Sequence, residues 1–261
     1  MNEPNIPNSD TDTSQETGRI VWPVVDLTRG PQGPRDRQLL FGDRITILER
    51  QKDNCLIRSE KDGYRGTVPS DACGPAVGRT HRVSARTTHA YAQSNFKSPN
   101  LFSLPFGAHL SAVSETETFI ETEIGFVPRQ HLRAQDTFSK DPVSIAEIFL
   151  GTPYLWGGNT YQGIDCSGLV QTSFMACGIA CAADSSQQVD SLGVPLAEDE
   201  ERHRNDLIFW KGHVALVVDE NTLIHANAGY METVYEPIAD ALTRIEAQGD
   251  GPPISYRRVQ L

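Results

Sequence analysis

Two stretches of this sequence, about sixty residues apart, have the same outline. LLFGDRITILE, which begins at Leu39, aligns with LPFGAHLSAVS, which begins at Leu104. YRGTVPSDA, which begins at Tyr64, aligns with EIGFVPRQH, which begins at Glu123. An internal repeat of this length predicts two tandem copies of one module. The alternative is a chance similarity between two segments that are both rich in turns.

Both copies consist of short apolar runs separated by Gly, Pro and Asp, a pattern typical of small all-β barrels. The outline resembles tandem bacterial SH3-like barrels, in which a glycine turn precedes a strand and a DGYxGxV stretch closes the barrel. The sequence departs from that pattern at Thr67, where an aromatic is common, and in the second copy, which lacks Asp-Gly-Tyr. We therefore predict SH3-like domains over residues 19–76 and 78–136.

The sequence pattern changes in the last part of the chain, residues 140–261, where helical segments come first and apolar strands follow. DPVSIAEIFLG reads as a helix that ends at Gly151, and CSGLVQTSFMACG as a second helix that ends at Gly178. A third helix is expected after Asp184, and beyond Asp206 the runs LIFW, GHVALVV and TLIHAN read as strands. Helices followed by an antiparallel sheet predict an α+β domain.

Charge and composition exclude several classes of protein. The formal net charge of -11 argues against nucleic acid as a partner, because such binding depends on lysine and arginine. No apolar run is long enough to span a membrane, and residues 1–18 read as a disordered, acidic tail without a secretion signal. Five irregularly spaced cysteines suggest free thiols. We therefore expect a cytoplasmic location, and the oligomeric state stays open.

One cysteine has a setting that favours chemistry. Cys166 lies between a glycine-rich turn and the first turn of the second predicted helix. Backbone N–H groups and the helix dipole at such a position lower a thiol pKa and can form part of an oxyanion hole. Taken alone, a buried structural cysteine would be the simpler interpretation.

Two of the seven histidines suit this cysteine as base and orienting group. His213 opens one predicted strand, and His225 lies on the next strand, across a short turn. On neighbouring antiparallel strands the two side chains are expected on one face, about 5 to 8 Å apart at Cβ. His213 can then meet the thiol while His225 fixes its tautomer. The alternative is that both are ordinary surface histidines.

The motifs YLWGG, DCSGLVQ, DSSQQ, DLIFW, GHVAL and LIHANA, taken in order, resemble the NlpC-type cell-wall peptidases. The resemblance implies a papain-like fold over residues 140–261 with Cys166, His213 and His225 as catalytic residues and no metal or organic cofactor. Asn205 departs from the family pattern, which has Gly there, and we expect it to alter a turn and not the chemistry.

With two SH3-like barrels in front, the chain resembles the γ-D-glutamyl-L-diamino acid endopeptidases, which act on murein peptides with a free N-terminal L-Ala. In that family the first barrel closes one end of the groove. The resemblance assigns Tyr64 and Asp165 to the end that holds the substrate ammonium. It assigns Ser167, Asp184 and Ser185 to the binding of D-glutamate and its α-carboxylate. It assigns Tyr154 and Trp156 to the walls of the groove.

Plainer roles exist for these side chains. Tyr64 can be barrel core, Asp165 and Ser185 can cap helices, and Trp156 can be packing. Two other functions also stay open at this point. One is a murein-binding protein with a vestigial third domain, and the other is a papain-like amidase or acyltransferase with a different substrate.

Overall fold

A computed structural model describes residues 16–260. The first domain is one seven-stranded antiparallel sheet in the order β3-β2-β6-β5-β4-β1-β7, wrapped around its own apolar core. Its strands are β1 (Glu16–Ile20), β2 (Val24–Thr28), β3 (Arg35–Leu40), β4 (Arg44–Arg50), β5 (Asn54–Ser59), β6 (Arg65–Pro69) and β7 (Cys73–Pro75).

The first strand begins earlier than the sequence predicted. Glu16 pairs with Ile47 and Gly18 with Ile45 on β4, so the predicted tail of residues 1–18 is wrong for its last three residues. The pairing partners of a polar segment such as Glu16–Gly18 lie some thirty residues away, and local composition carries no trace of them. The rest of the predicted tail, residues 1–15, lies outside the described residues.

The second domain repeats the pairing order of the first. Its strands are β8 (His81–Val83), β9 (Thr87–Tyr91), β10 (Asn100–Pro105), β11 (His109–Leu110), β12 (Ala112–Glu115), β13 (Phe119–Thr122), β14 (Gly125–Pro128) and β15 (Leu132–Ala134). β9 pairs with β10 and β14 as β2 pairs with β3 and β6, and β8 pairs with β15 as β1 pairs with β7. The two aligned stretches of sequence therefore occupy equivalent places in two copies of one topology.

The aligned glycines explain why the repeat is visible in the sequence. Gly42 has φ +79° and Gly107 has φ +85°, in the left-handed region that glycine enters at little cost. Both sit in the turn that follows a strand and precedes the next one. Val-Pro near the other end of each copy leads into one turn of 3-10 helix, at 70–72 and 129–131.

The two barrels contact each other where the turn at Gly42 of the first packs against strand β11 of the second. A Cβ on Gly42 would lie 2.2 Å from the carbonyl oxygen of His109, so the backbones are in direct contact there. The His109 N–H donates to Phe41 O at 2.9 Å, and its ring Nδ1 contacts Gln135 Oε1 at 2.8 Å. The charged groups that face this ring are Asp43, Lys61 and Arg79. His109 is thus a neutral imidazole held in the junction between the barrels.

The C-terminal domain is α+β, as the order of its predicted elements indicated. Its helices are α1 (Pro142–Glu147), α2 (Cys166–Ala176), α3 (Ser185–Ser191) and α4 (Ile238–Ala247). Its strands are β16 (Asn159–Thr160), β17 (Gly163–Ile164), β18 (Val194–Pro195), β19 (Leu207–Trp210), β20 (His213–Val217), β21 (Thr222–Asn227), β22 (Glu232–Pro237) and β23 (Ser255–Arg258). Six of these strands form a sheet in the order β18-β23-β19-β20-β21-β22.

Helices cover both faces of that sheet. Leu169 and Phe174 of α2 share a core with Val214 and Ile224, while Ala241 of α4 packs with residues of the opposite face. Strands buried on both faces read as continuous apolar runs, which is how LIFW and HVALVV appear in the sequence. The sheet thereby fixes β20 and β21 between α2 and α4.

Asn205 lies in the turn before β19. Its φ of +74° is in the left-handed region, where asparagine is tolerated better than most residues. Its side-chain oxygen accepts a hydrogen bond from Val143 N at 2.9 Å, at the first turn of α1. Asn205 therefore holds the left-handed conformation of this turn and also caps α1, whereas the sequence argument expected an altered turn.

The first barrel packs on the glycine-rich turn and on α2. A Cβ on Gly157, whose φ is +71°, would lie 2.5 Å from Asp36 O, so the turn touches the barrel backbone. Gln38 O and Oε1 accept hydrogen bonds from the side chain and the backbone of Asn159. Deepest in the contact, Arg37 Nη1 lies 3.1 Å from Asp165 Oδ2, and both side chains are buried. An arginine of the barrel thus reaches the residue that precedes Cys166.

Two further observations concern the chain as a whole. Within residues 16–260, no helix has the length and apolar character that crossing a bilayer demands. Cys55, Cys73, Cys166, Cys177 and Cys181 are all free.

We predict that His109→Gln makes the protein less sensitive to acid. Burial lowers the pKa of His109 from its ordinary 6.5 to about 4, so below pH 6.5 the unfolded chain binds a proton that the folded chain does not. The free energy of unfolding must then fall as the pH drops from about 6.5 to about 4, by up to about 1.4 kcal/mol per pH unit from this group. Urea unfolding at several pH values measures the slope.

His89 provides the matched control, because it is an exposed histidine of the same barrel. His89→Gln should keep the wild-type slope, whereas His109→Gln should flatten it. Equal slopes in all three proteins would refute the assignment.

We also predict that Arg37→Met destabilises the fold by about 3–5 kcal/mol, because it leaves the buried carboxylate of Asp165 without its cation. The control is Arg35→Met on the same strand. Arg35 is partly exposed and donates to Trp156 O at 3.0 Å, so its loss should cost at most about 1 kcal/mol. Urea unfolding followed by circular dichroism compares the two, and similar midpoints would contradict the prediction.

Candidate active site

Cys166 is the first residue of α2 and is buried, with 6% of its surface exposed. Its sulfur lies 3.9 Å from Gly212 O. The backbone N–H groups of Ser167 and Val214 also point to it. The sulfur therefore contacts the backbone on either side of His213, where β20 begins.

The thiol pKa differs from the sequence expectation. Burial raises the pKa of Cys166 to about 12, with a further contribution from the carboxylate of Asp165, and the two backbone N–H groups only offset part of this. The expectation of a lowered pKa at the helix N-terminus is wrong for the free enzyme, because desolvation of the thiolate outweighs the helix dipole. Cys166 rests as a neutral thiol.

The two histidines meet through their rings. His213 Nε2 lies 2.9 Å from His225 Nδ1, and the ring centroids are 5.0 Å apart. The register of β20 and β21 pairs Leu216 with Ile224, which makes the two histidines diagonal neighbours on one face. Because Nε2 of His213 is used, Nδ1 is the nitrogen left to exchange a proton with the thiol.

Both imidazoles are neutral at rest. Burial lowers the pKa of His213 to about 3, with contributions from His225 and Arg244, and burial also lowers the pKa of His225. Together with the raised pKa of Cys166, this describes a neutral thiol and imidazole and not a preformed ion pair.

Behind His225 lie groups that the sequence reasoning missed. Its Nε2 is 2.8 Å from Asn227 Nδ2 and 3.0 Å from Glu236 Oε2, and Arg244 binds both oxygens of Glu236 at 2.8 and 2.7 Å. His225, Asn227 and Glu236 are at most 4% exposed. The period of two along a strand could have indicated Asn227, which shares a face with His225. No feature of the neighbouring sequence indicates a role for Glu236, which lies on the next strand, β22.

The structure gives Asp165 a full set of partners. Its Oδ1 accepts from Gly168 N at 2.6 Å and from Ser167 Oγ at 3.1 Å, and its Oδ2 accepts from Gly157 N at 2.8 Å. Arg37 adds an ion pair and also donates to Ser167 Oγ at 3.1 Å. Four donors use the capacity of a carboxylate. Asp165 therefore caps the helix and binds the barrel, and it has no site left for an ammonium.

Tyr64 reaches the contact between the barrel and the C-terminal domain. It is half-buried against the barrel core, and burial raises its pKa to about 12, with contributions from Asp184 and Asp36. Asp36 is held by Arg29 at 2.6 and 2.8 Å. Asp184 precedes α3 without capping it, and among residues 16–260 it has no cation at ion-pair distance. Tyr64 and Asp184, one from each domain, are thus close enough to interact electrostatically.

The remaining predicted residues are at or near the helix of Cys166. Tyr154 is half-buried, and burial raises its pKa, with the neighbouring Cys166 as the next cause. Trp156 exposes 64% of its surface, and its backbone oxygen accepts a hydrogen bond from Arg35 of the barrel. Ser167 is buried with its hydroxyl engaged by Asp165 and Arg37. Ser185 opens α3.

The chemistry available here is that of a thiol, an imidazole pair and buried carboxylates. In the part of the chain that the structure describes, no three His, Cys, Asp or Glu side chains are grouped to hold a metal ion. The arrangement fits nucleophilic catalysis by a cysteine with a general base and an orienting group behind it.

Comparison with known families matches two parts of the chain. Residues 151–244 match the NlpC/P60 family, and residues 27–72 match the bacterial dipeptidyl-peptidase Sh3 domain. The first match contains Cys166, both histidines and Glu236, and the second contains Arg37 and Tyr64.

Two characterised relatives span most of the chain. Dipeptidyl-peptidase 6 of Lysinibacillus sphaericus is 26% identical over 217 residues, which cover 74% of this chain and 80% of the relative. A gamma-D-glutamyl-L-lysine dipeptidyl-peptidase of Bacillus cereus is 25% identical over 225 residues, which cover 73% of this chain and 67% of the relative. Both relatives therefore match more than the peptidase domain alone.

A solved structure shares the whole architecture. An NlpC/P60 family protein from Bacillus cereus superimposes with a TM-score of 0.78 at 19% identity, over 93% of this chain and 99% of the other. At that identity the likeness establishes the fold alone. The two family matches, and not this likeness, identify the domains: the chain carries an NlpC/P60 cysteine peptidase domain, preceded by a bacterial dipeptidyl-peptidase Sh3 domain.

Proposed function

We propose that this protein hydrolyses the bond between γ-D-glutamate and the L-diamino acid of murein stem peptides that have a free N-terminal L-Ala. The observation that carries the reaction type is the contact of 2.9 Å between His213 Nε2 and His225 Nδ1, beside a buried cysteine at a helix N-terminus. The names of the relatives from Lysinibacillus and Bacillus support the substrate class.

In the proposed reaction, the Cys166 thiol gives its proton to His213 Nδ1 as sulfur attacks the γ-glutamyl carbonyl carbon. The C–N bond then breaks, and His213 returns the proton to the departing amine of the diamino acid. Water attacks the thioester in the second half, with His213 taking a proton from the water and Cys166 leaving as the thiol. His225 holds the ring of His213 in place throughout.

The first barrel is proposed to limit the substrate to short peptides. Its strand β3 lies against Gly157 and Asn159 and reaches Asp165, so one end of the groove beside Cys166 is bounded by protein. A long glycan strand attached at the peptide N-terminus has no exit at a closed end. Released peptides do not face this obstacle.

The ammonium of the substrate is assigned here to Asp184 and Tyr64 in place of Asp165. Asp165 has all its acceptor positions used, whereas among the described residues Asp184 forms no ion pair, and the nearby cation Arg29 is bound by Asp36. A carboxylate beside a phenol hydroxyl suits an ammonium by charge and by hydrogen bonding. Asp184 suits a substrate carboxylate poorly, because like charges repel.

A cytoplasmic place of action in peptide recycling is part of the proposal. Five free cysteines are typical of proteins from a reducing compartment. Cell fractionation with detection of the native protein tests it, and recovery outside the cytoplasmic fraction would rule it out.

The substrate is tested with L-Ala-γ-D-Glu-meso-diaminopimelate and L-Ala-γ-D-Glu-L-Lys, each with its N-acetylated twin, by mass spectrometry. We expect cleavage of the free-amine peptides only, and at least about a thousandfold loss in Cys166→Ala with the fold retained. Cleavage of both twins would contradict the closed end. Binding to murein without any cleavage would favour a binding protein.

We further predict that Asp184→Asn raises KM for the free-amine peptide about tenfold or more with little change in kcat, because a charge-assisted contact is lost. Asp190→Asn is the matched control, since Asp190 is an exposed carboxylate of the same helix. An unchanged KM in Asp184→Asn would exclude this residue from recognition of the ammonium.

A further inference from the structure

Nε2 of His225 has two hydrogen-bonding neighbours that require opposite protonation states of this nitrogen. Asn227 Nδ2 lies 2.8 Å from His225 Nε2, and Glu236 Oε2 lies 3.0 Å from the same atom. An amide N–H donates and requires a lone pair on Nε2, whereas a carboxylate accepts and requires a proton there. Both hydrogen bonds cannot exist together, so one neighbour decides where the proton of His225 lies.

The orientation of Asn227 follows from its other contact. Tyr230 N donates to Asn227 Oδ1 at 2.9 Å, which turns the amide nitrogen toward His225. Acting alone, Asn227 would leave Nε2 bare, and the proton of His225 would lie on Nδ1 and point to His213. His213 would then carry its own proton on Nδ1 and could not accept one from Cys166.

Glu236 favours the opposite tautomer, with the proton of His225 on Nε2, and it carries a negative charge. Burial alone would raise its pKa, but the hydrogen bonds from Arg244 and His225 lower it to about 2, so it is an anion at neutral pH. A hydrogen bond to a charged group is roughly twice as strong as a neutral one. The carboxylate of Glu236 therefore determines that the proton of His225 lies on Nε2. Asn227 can adapt by a rotation that exchanges its amide oxygen and nitrogen, which costs one neutral hydrogen bond from Tyr230 N.

We propose that Glu236 is a positioning residue for the peptidase, which holds the proton of His225 on Nε2 and thereby leaves Nδ1 of His213 free to take the proton of Cys166. This inference rests on the proposed reaction, in which His213 is the base. Arg244 has a supporting role, because it keeps Glu236 ionised in a buried site.

The proton positions along the chain of groups are consistent. Nε2–H of His225 donates to Glu236, and Nδ1 of His225 accepts from Nε2–H of His213. When the thiol proton moves to His213 Nδ1, that ring becomes a cation whose two N–H groups both have a role. Besides Glu236, the charged group that acts on both imidazoles is Arg244, and Tyr230 donates to Glu236 Oε1 at 3.3 Å.

Glu236→Gln tests the inference because it should reverse the choice. Two donors, Tyr230 Oη and Arg244 Nε, face Oε1, whereas Arg244 supplies only one, Nη2, to Oε2, so the single oxygen of glutamine is expected at Oε1 and its NH₂ group toward His225. Nε2 of His225 then faces only donors and must be bare. Glu236→Asp keeps the charge and should restore much of the function.

The control is Asp206→Asn, which alters a comparable ion pair away from the histidines. Asp206 is 1% exposed and is bound through both oxygens by Arg258 at 2.9 and 2.8 Å. Its substitution removes a buried carboxylate from the same domain without touching β21. If Asp206→Asn and Glu236→Gln lose similar stability, a loss of activity that occurs only in Glu236→Gln is catalytic and not structural.

The readouts are the histidine tautomers, the reactivity of Cys166 and the peptide kinetics. Proton–nitrogen NMR of the ring nitrogens should show His225 and His213 protonated on Nε2 in wild type and on Nδ1 in Glu236→Gln. Alkylation of Cys166 by iodoacetamide between pH 5 and 9, followed by mass spectrometry, should slow at least about tenfold at pH 7 in Glu236→Gln and stay unchanged in Asp206→Asn. We expect kcat to fall about a hundredfold with little change in KM, and to recover to within about tenfold of wild type in Glu236→Asp.

Unchanged tautomers in Glu236→Gln would overturn the inference. So would a fall in alkylation or kcat that Asp206→Asn matches. The NMR and alkylation results do not use the peptide, so they hold even if no murein peptide is cleaved. In that case the proposed substrate fails while the role of Glu236 stands.

Discussion

The buried ion pair between Arg37 and Asp165 is the interaction on which the active site depends. Asp165 caps the helix that starts with Cys166, and it also binds the glycine-rich turn through Gly157 N. Arg37 brings the barrel to the same carboxylate, across 128 residues of sequence, and also donates to Ser167 Oγ. One side chain therefore fixes the helix, the turn and the neighbouring domain at a single point. Removing either charge leaves the other buried without compensation.

The same contact holds the first barrel against the C-terminal domain beside Cys166. Polar pairs contribute to the surface between the two domains, with Gln38 against Asn159 and Asp62 against Gln171. Interfaces of this kind usually permit relative motion of domains. Here the buried charge pair and the direct contact at Gly157 oppose such motion of the first barrel.

Much of the fold could be predicted because its signals are local. The glycine turns at Gly42 and Gly107 require positive φ, the strands buried on both faces read as apolar runs, and Gly151 and Gly178 follow helices with positive φ. The α+β class followed from the order of these elements. The start of β1 could not be predicted, because Glu16 and Gly18 are ordered by distant partners on β4.

The site was predictable only where residues lie within one motif. Cys166, His213 and His225 stand in recognisable stretches, and their roles remain predictions that the geometry supports. Arg37 and Glu236 become important through tertiary contacts, and in the sequence they look like ordinary charged strand residues. The thiol pKa was predicted in the wrong direction, because the helix dipole can be inferred from sequence whereas the degree of burial cannot.

The burial of Cys166 has a consequence for the chemical durability of the enzyme. Peroxide and disulfides react with thiolates far faster than with thiols, so oxidative damage follows thiolate content and exposure. Cys166 is 6% exposed and a neutral thiol at rest, so it offers little of either. The burial that suppresses the thiolate therefore also protects the side chain from oxidation to the sulfenic acid.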